Sequence, residues 1–389
     1  MTSDASPTDP ARSAPLRVLH VFPSFEVGGV QRRVVRLIEL LGSEFEHAVL
    51  SLSGNFEAGA LLANPAAVEQ VPAPPKAGSL STMRALRGLI AERQPDLLLT
   101  YNWGSIDAAL ATRLGGPAHV HHEDGFGADE ANALKRRRGV LRRLALGRAH
   151  TTVVPSKNLE RIATGTWRLP RVTWIPNGVD LERFKPGDGD AALRAEHGLP
   201  AEAKVLLSVG ALRAEKRIDR LIEVFEGVAP ERDLWLWIVG DGPLAADLRE
   251  RAAASPAAER IQFAGAQSDP APFFRAADLF ALSSDTEQMP LALVEAMAAG
   301  RPCLSTDVGD VATILPESQA DGRVPLAPPE SLTDRLRAAL EGLLDDGERR
   351  ADWGRANRAR VEELYAQEVM VERYRALYRE AVAAARARS

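Results

Sequence analysis

Glu287 and Glu295 are two carboxylates with seven residues between them, in the stretch EQMPLALVEAMAAG. Pro290 suits the first turn of a helix and Gly300 the position just past its last turn, so we predict a helix over 291–299. Glu287 then lies on the preceding loop and Glu295 about one and a half turns inside, at roughly 3.6 residues per turn. Helix N-termini favour phosphate, and carboxylates accept hydrogen bonds from hydroxyls. The pair therefore suits a ligand with phosphates and sugar hydroxyls; the alternative is two solvated acids.

The composition is ordinary for a soluble globular protein. The chain has 389 residues, 45% apolar and 26% charged, so two or more domains with large cores are expected. Residues 1–15 are polar and proline-rich, which predicts a disordered tail and not a signal peptide. No run approaches the roughly 18 apolar residues of a membrane-spanning helix. The single cysteine, Cys303, allows no intrachain disulfide, which favours a cytoplasmic location, and we interpret it as a small core residue.

The net charge of −5 is unevenly distributed. Residues 1–185 contain 23 Lys and Arg against 18 Asp and Glu, a net of +5, so the remainder carries −10. The most basic stretch, KRRRGVLRRLALGR at 135–148, also contains Leu141, Leu144 and Leu146. It predicts either a peripheral contact with a membrane surface or an anionic polymer, or a solvated helix that packs its leucines inward, which we favour. No nucleic-acid motif is recognisable, so no nucleic-acid partner is expected.

Strand-like and helix-like stretches alternate along the chain. Runs rich in Val, Leu and Ile occur in the first half at 16–22, 47–52, 96–102, 119–123, 151–156 and 172–177. After a linker rich in Gly, Pro and Asp, similar runs occur at 204–210, 234–240, 261–265, 278–284 and 302–307. Strands that are apolar on both faces and separated by helices predict α/β units, each with a parallel sheet covered by helices. Ligands of such sheets bind beyond the carboxyl ends of the strands.

Motifs for several other chemistries are incomplete or absent. Gly125 with Gly127, and Gly240 with Gly242, each form a GxG, but no third glycine completes a dinucleotide-binding fingerprint. The sequence contains no GK[ST] of a phosphate loop, no HExxH and no CxxC. Hydride transfer is therefore not expected, and we predict neither a metal site nor a cofactor.

From about residue 16 to 385 the chain resembles the retaining GT-B glycosyltransferases of the family 4 type. The most specific shared element is the pair Glu287 and Glu295, followed by a small-residue helix and a glycine. Five further blocks occur in the expected order: VGGVQR at 27–32, IPNGVD at 175–180, SVGALRAEKRIDRLIEVF at 208–225, VGDGP at 239–243 and FAG at 263–265. The resemblance implies an α/β GT-B architecture, in which two tandem Rossmann-like doubly wound parallel-sheet domains face each other across a cleft.

The resemblance also implies a division of the chain. An acceptor-binding domain would occupy residues 16–185 and a nucleotide-sugar donor-binding domain residues 186–364. The segment 365–389 has an amphipathic helix pattern. In this architecture the terminal helix commonly crosses back onto the first domain.

Donor-binding roles in the second domain follow from the same resemblance. Glu295 would accept both vicinal hydroxyls of the nucleotide ribose, and Glu287 a hydroxyl of the donor sugar. Pro290 has no N–H to donate. Backbone N–H groups at the helix start would face the sugar and the diphosphate, namely those of Met289, Leu291 and Ala292.

Lys216 would neutralise the diphosphate as it leaves the sugar, and a positioned cation there lowers the barrier by a few kcal/mol. The family usually carries an arginine directly after the glycine that here is Gly210, whereas this chain has Ala211. Arg213, two residues on, is the candidate that would reach the same phosphates. Phe263, in the block FAG, is assigned to the donor site as well.

Gly28 and Gly29 follow the first predicted strand and precede a helix. Without side chains they would let the backbone approach the donor diphosphate, as the resemblance implies. The alternative is an ordinary turn between a strand and a helix.

The acceptor side is less defined. Family members often carry a histidine before a Gly-Phe-like pair, and here the stretch reads HVHHEDGFG. His122 and Asp124 are the catalytic candidates, and His121 is a third. Alternation along a strand points His121 and His122 to opposite faces, so at most one of them should enter the cleft.

The leading hypothesis is transfer of a sugar from a nucleoside diphosphate sugar to a hydroxyl acceptor, with retained anomeric configuration and without a metal. Cell-surface polysaccharide or glycoconjugate synthesis is the expected context, with an acceptor that is lipid-linked or anionic and a place at the inner face of the membrane. One alternative is a GT-B epimerase or phosphorylase. Another is a catalytically silent nucleotide-sugar binding subunit, which Ala211 and Asp124 motivate.

Overall fold

The computed structural model describes residues 14–75, 78–113, 115–125, 136–187 and 190–388. Contacts within the chain divide it into two compact units. Unit 1 comprises Met1–Val154, Glu160–Trp174 and Val371–Ser389, and unit 2 comprises Pro155–Leu159 and Ile175–Met370. Phe126 of the Gly-Phe pair and Gly127 of the first GxG lie outside the described residues, as does Lys135 of the basic stretch.

Unit 1 is built on a seven-stranded parallel sheet. Its strands are β1 Leu16–Phe22, β2 Phe45–Ser51, β3 Val68–Val71, β4 Leu97–Tyr101, β5 Ala118–His122, β6 Thr151–Val154 and β7 Val172–Trp174. The strand order is β3-β2-β1-β4-β5-β6-β7, and all neighbours pair in parallel. Strands β4, β5 and β6 are buried at every residue, because helices cover both faces of the sheet.

Six α-helices of the described chain lie wholly or partly in unit 1. They are α1 Gly29–Leu41, α2 Ser79–Arg93, α3 Ile106–Ala111, α4 Arg136–Leu146, α5 Lys157–Arg161 and α14 Gln367–Arg386, the last in the described chain. Helix α1 is strongly amphipathic and buries Val34, Leu37, Ile38 and Leu41, at the spacing that a 3.6-residue turn requires.

Unit 2 repeats the plan with a six-stranded parallel sheet. Its strands are β8 Lys204–Val209, β9 Leu234–Val239, β10 Ile261–Gly265, β11 Leu279–Leu282, β12 Cys303–Thr306 and β13 Arg323–Val324, in the order β10-β9-β8-β11-β12-β13. Its helices are α6 Ala191–Glu196, α7 Ile218–Val228, α8 Ala245–Ala253, α9 Ala271–Ala276, α10 Leu291–Ala298, α11 Val311–Ile314, α12 Leu332–Asp345 and α13 Gly347–Leu364. Two parallel sheets flanked by helices confirm the predicted α/β class.

Each sheet reverses its strand order at one point. In unit 1 the order reverses between β1 and β4, and in unit 2 between β8 and β11. The connections on the two sides of such a point run in opposite directions, so a crevice opens beyond the carboxyl ends of the two strands. Ligand-binding residues of each unit are therefore expected on the loops after these strands.

Helix α4 corrects one expectation. Leu146 is buried, but Leu141 and Leu144 are 42% and 46% exposed and Val140 is 69% exposed. The inward face is instead occupied by Arg142, which is 1% exposed and lies over the ring of Trp167 at 4.2 Å. The prediction that this helix packs its leucines inward is therefore wrong for two of the three. In the ranges that the structure describes, no helix combines the length and the apolar character needed to cross a membrane.

Two glycines of unit 2 allow one loop to pack directly on the next. A Cβ atom on Gly240 would lie 1.9 Å from the carbonyl oxygen of Gly210, and one on Gly242 would lie 2.6 Å from that of Leu212. Backbone hydrogen bonds join the same segments, from the Leu212 N–H to the Asp241 oxygen at 3.0 Å and from the Leu244 N–H to the Leu212 oxygen at 3.0 Å. The partial GxG is thus a packing element that fixes the loop after β8.

We predict that Gly240→Ala destabilises unit 2 by about 2–4 kcal/mol, since its φ of 142° is unfavourable for alanine and the added methyl group overlaps backbone. Gly342→Ala is the matched control, because a Cβ atom there meets nothing within 4 Å and alanine favours the α12 helix. Urea denaturation of both variants measures the difference. Equal stability of Gly240→Ala and the unmodified chain would contradict the packing role.

Candidate functional site

The candidate site of unit 2 lies at its point of reversal. The loop after β8 carries Lys216, at the end of a short 3₁₀ turn, and the loop after β11 carries Glu287. The two residues are 71 positions apart in the chain, yet the Lys216 Nζ donates to Glu287 Oε1 at 2.5 Å. The parallel sheet therefore brings an ammonium group and a carboxylate together where a ligand is expected.

Glu287 is held from two sides. Its Oε1 accepts hydrogen bonds from Lys216 and from the hydroxyl of Ser284, which lies 2.7 Å away. The side chain of Glu287 is 10% exposed and that of Lys216 is 26% exposed. No hydrogen bond to Glu287 Oε2 occurs among the described residues, so this oxygen is available to accept from a ligand hydroxyl.

A second set of contacts locks the two loops to each other. The Ser283 hydroxyl lies 3.0 Å from the carbonyl oxygen of Lys216 and 2.8 Å from that of Arg217. Arg220 donates to the Ser283 carbonyl at 2.9 Å and to the Asp285 carboxylate at 2.6 Å. These bonds fix the backbone of Lys216, so only the rotatable bonds of its own side chain set the position of the ammonium group.

Helix α10 begins where the sequence predicts. Pro290 is the N-cap residue, and Gly300 adopts a φ of 70° just after the helix. The N–H groups of Leu291 and Ala292 have no backbone acceptor in the described chain, as expected for a first helical turn. Met289 points its sulfur to the Asn177 N–H at 3.3 Å, within unit 2. The helix therefore presents two amides without a backbone acceptor directly after the loop on which Glu287 contacts Lys216.

Glu295 lies on α10 in a poorly solvated position. Burial of its carboxyl group raises its pKa to about 7, with Arg183 acting against the shift and Asp269 adding to it. Arg183 and Asp269 themselves form an ion pair at 2.9 Å. A carboxyl group held in such surroundings gains strong hydrogen bonds when a ligand supplies hydroxyl donors.

The other residues assigned to the donor site occupy different surroundings. Gly210 directly follows β8, and Arg213 is exposed at the start of the 3₁₀ turn. Phe263 lies in β10, partly buried against the core of unit 2, with the guanidinium of Arg249 at 5.1 Å from its ring centre. The structure thus keeps Gly210 and Arg213 on the same loop as Lys216, whereas Phe263 is a packing residue in this conformation.

Unit 1 has its own cluster at its point of reversal. Gly28 is the N-cap of α1 and Gly29 its first residue. A Cβ atom on Gly29 would meet nothing within 4 Å, so space for a ligand lies beside the helix N-terminus in unit 1. A Cβ atom on Gly28 would lie 2.8 Å from Gln31 Oε1, the end of a flexible side chain that can move away, and the φ of −155° is open to any residue, so local packing does not require this glycine.

Asp124 is fixed by two residues that the sequence reading did not single out. Its carboxylate forms a two-point ion pair with Arg33 of α1, of which the Nη2 to Oδ2 contact is 2.9 Å, and both side chains are 9% exposed. Its backbone N–H donates to Asn102 Oδ1 at 2.8 Å. Asn102 has a φ of 54°, a strained value for a residue other than glycine, directly after β4. In the sequence, the only indication of a role for Asn102 is its position at the end of a predicted buried strand.

The histidines of β5 point to opposite faces, as alternation predicts. The ring of His121 and that of His119 both contact the Thr100 hydroxyl, at 2.7 Å and 2.8 Å. His122 lies on the other face, stacked on Tyr101 with 4.7 Å between ring centres.

His122 is 2% exposed, and its Nε2 lies 3.2 Å from the Tyr378 hydroxyl. Burial, reinforced by the charge of Arg33, lowers the pKa of His122 well below its usual value, so the ring is neutral. His122 is thus a neutral, enclosed imidazole, and Asp124, whose side chain is 9% exposed, is the more accessible of the two catalytic candidates.

Cys303 is fully buried and its thiol donates to the Arg301 carbonyl at 3.3 Å, which confirms it as a core residue. In the part of the chain that the structure describes, no group of three or more His, Cys, Asp or Glu side chains is arranged to hold a metal ion.

Two family models match the chain. The model for glycosyl transferases group 1 matches residues 190–360, and the model for glycosyltransferase family 4 matches residues 27–183. All of the candidate residues described above for the two units fall inside one of these ranges.

Individual proteins show the same similarity. N-acetyl-alpha-D-glucosaminyl L-malate synthase of Bacillus anthracis is 28% identical over 186 residues, which are 48% of this chain and 48% of that protein, so the match spans about half of that relative. The putative glycosyltransferase EpsF of Bacillus subtilis (strain 168) is 28% identical over 323 residues, 76% of this chain and 80% of that protein. The crystal structure of Anabaena Alr3699/HepE in complex with UDP has a TM-score of 0.78 at 18% identity, covering 92% of this chain and 98% of that chain.

The raised pKa of Glu295 gives a prediction for stability. Between its ordinary value of 4.5 and about 7, the folded protein keeps a proton that the unfolded chain has released, so stability falls as the pH rises through this window. We expect Glu295→Gln to raise the free energy of unfolding by about 1–3 kcal/mol at pH 8, with the gain shrinking towards pH 5.

Urea denaturation at the two pH values measures this effect. Glu223→Gln, an exposed residue of α7, is the control and should show no pH-dependent difference. A Glu295→Gln variant that is less stable than the unmodified chain at pH 8 would show that the carboxylate is favourably solvated or paired.

Proposed function

Because the chain belongs to the group 1 glycosyltransferases of the GT-B fold, we propose that it transfers a sugar from a nucleoside diphosphate sugar to a hydroxyl acceptor. The observation that carries the proposal is the contact between Lys216 and Glu287 beside the start of α10. An ammonium group and free helix amides suit a diphosphate, and a carboxylate beside them suits a sugar hydroxyl.

For the donor, we propose that the first turn of α10 and Lys216 bind the diphosphate, and that Glu295 accepts the ribose hydroxyls. The free N–H groups of Leu291 and Ala292 support the first assignment. The poorly solvated carboxyl group of Glu295 supports the second, since two hydroxyl donors would favour its charged form. The Anabaena protein, whose structure is a complex with UDP, makes a uridine nucleotide a reasonable first donor to test.

For the reaction, we propose a retaining transfer that needs neither a metal nor a protein nucleophile. The C–O bond between the sugar and the diphosphate breaks, and the acceptor oxygen bonds to the same face of the anomeric carbon. The leaving phosphate oxygen takes the acceptor proton. Lys216 would stabilise the charge that develops on the diphosphate, and Glu287 would hold the donor sugar through its free Oε2. These glutamates position the donor and are not a glycosidase acid and base pair.

For the acceptor, we propose a hydroxyl compound that approaches unit 1 near Asp124. The two-point pair with Arg33 and the bond to Asn102 hold this carboxylate in one orientation. We further propose that the protein acts in polysaccharide or glycoconjugate synthesis at the inner face of a membrane, and that α4 makes peripheral contact with that surface. The exposed Leu141 and Leu144 on a basic helix support this contact.

Glu287→Gln should lower kcat for sugar transfer by about 10²–10³. The oxygen of its amide can still accept hydrogen bonds, but the group bears no charge to pair with Lys216 and its nitrogen cannot accept, so donor binding should change less than turnover. Steady-state transfer assays and calorimetric donor titrations separate the two effects, and far-UV circular dichroism checks the fold.

Glu223→Gln again serves as the matched control, since it removes one carboxylate from an exposed helix position. Unchanged turnover in Glu287→Gln would refute the assignment of this residue. Donor binding by the unmodified chain without turnover on any acceptor would instead identify a silent binding subunit, and conversion of the donor without an acceptor would identify an epimerase.

A donor screen tests the class of substrate and the stereochemistry. We expect one of the UDP-, GDP- or ADP-sugars to raise Tm, and the product formed from it to keep the anomeric configuration of the donor by proton NMR. Activity should persist in excess EDTA. An inverted product, or activity lost in EDTA and restored by a divalent ion, would exclude the proposed reaction.

A further inference from the structure

Unit 1 contains an open cavity of about 520 Å³ at the end of its sheet remote from Asp124. The cavity is lined by the residues that precede three neighbouring strands, with Pro117 before β5, His150 before β6 and Arg171 before β7. Strands of a parallel sheet all begin at the same edge, so this cavity lies at the amino ends, whereas Asn102 and Asp124 follow the carboxyl ends. It is therefore separate from the candidate site of unit 1.

The cavity is strongly basic. Four arginines line it, namely Arg113, Arg148, Arg171 and Arg388. Within the described ranges, none of their guanidinium groups lies at ion-pair distance from a carboxylate. The adjacent acid Glu380 pairs with His150 at 3.3 Å. Four guanidinium groups in one concave surface, with Glu380 as the adjacent acid in the described chain, favour an anionic ligand.

The arginines fall into two groups. Arg113 donates to the Leu144 carbonyl, and Arg171 donates to the Ala149 carbonyl at 2.7 Å, so both also support the backbone around the cavity. Arg148 makes a single 3.2 Å bond to the Arg113 carbonyl, and Arg388 has no side-chain bond in the described chain; both are exposed. Arg148 and Arg388 are thus free to turn towards a ligand without disturbing the fold.

Helix α4 joins this cavity to an apolar surface. Ala145 and Arg148, at and beyond the end of the helix, line the cavity. Val140, Leu141 and Leu144 fall within an arc of about 100° on the outer face of the same helix, at roughly 100° per residue. They are 69%, 42% and 46% exposed, and they are three of the six exposed large apolar residues in the described chain.

We propose that the cavity binds the phosphate group of an anionic membrane lipid while the outer face of α4 inserts into the interface beside it. A basic pocket supplies the charge complementarity, and the three apolar side chains supply the preference for a lipid over free phosphate. The inference deepens the peripheral membrane contact proposed above. It requires no catalytic step, so it is tested without a sugar donor.

The test is co-sedimentation of the full chain with vesicles. The unmodified protein should bind vesicles of phosphatidylglycerol mixed with phosphatidylcholine and should not bind phosphatidylcholine alone. The double variant Arg148→Gln with Arg388→Gln should bind about 30-fold more weakly, at about 1 kcal/mol per arginine near an anionic surface. The control is Arg84→Gln with Arg87→Gln, two exposed arginines of α2 in the same unit, which should bind like the unmodified chain.

A second pair of variants tests the apolar face. Leu141→Ser with Leu144→Ser should weaken vesicle binding at least about tenfold, since two large apolar groups no longer enter the interface. Leu80→Ser, at a position of α2 that is 70% exposed, is the control and should have no effect. Both sets of variants should keep the Tm and the sugar-transfer activity on a soluble acceptor.

Three outcomes would overturn the proposal. Equal weakening by the cavity variant and by its α2 control would show only a general attraction of charge. If the unmodified chain does not bind anionic vesicles, an anionic lipid is excluded as the ligand of the cavity. A Tm that inorganic phosphate raises in the unmodified chain and not in the cavity variant, without vesicle binding, would assign the cavity to a free phosphate compound. If the protein binds anionic vesicles but does not transfer sugar, the proposed function is wrong and the lipid-binding proposal is still supported.

Discussion

The candidate site of unit 2 depends on one ion pair between two loops, Lys216 to Glu287. Apart from the 3₁₀ turn that ends at Lys216, neither loop contains a helix or a strand. The position of each charged group is therefore fixed by the other loop and by the bonds of Ser283 and Arg220. Both charged groups are only partly exposed, so they lose part of their hydration free energy. The short charged hydrogen bond between them offsets this loss. The polar groups are therefore already ordered before a ligand binds, so binding does not include the entropic cost of ordering these side chains.

Preorganisation of this kind has a cost that the rest of unit 2 offsets. Gly240 and Gly242 lose conformational freedom so that the loop of Lys216 can rest on backbone. Glu295 holds a carboxyl group where charge is unfavourable. Both features lower stability, whereas the apolar core of this unit, with Leu206, Phe225 and many other buried residues, supplies the opposing stabilisation.

The sequence predicts the interior better than the edges. Every strand with a continuous apolar run is present, and β1 and β10 have the predicted bounds. The strands that were missed, β3 and β13, are the last strands on one edge of each sheet; β3 is VEQV with two exposed polar residues, and β13 has only two residues. The family resemblance assigns Lys216 and Glu287 to one donor site, but it predicts neither their direct contact nor the roles of Ser284, Arg33 and Asn102. These contacts arise from distances across the sheet, which the sequence does not give. The exposed leucines of α4 were missed because Arg142 takes the inward position.

The parallel sheet of unit 1 separates the two regions at which we propose binding. Asn102 and Asp124 lie on the loops that follow the carboxyl ends of β4 and β5. The residues that precede β5, β6 and β7 line the basic cavity at the opposite edge of the sheet. Among the described residues, no side chain that lines the cavity bonds to Asn102 or Asp124, whose side-chain hydrogen bonds are with each other and with Arg33. A ligand at the amino ends would therefore add affinity for a surface without touching the residues that hold Asp124. For an enzyme whose acceptor resides in a membrane, such binding raises the local concentration of the acceptor, so the gain appears in KM and leaves kcat unchanged.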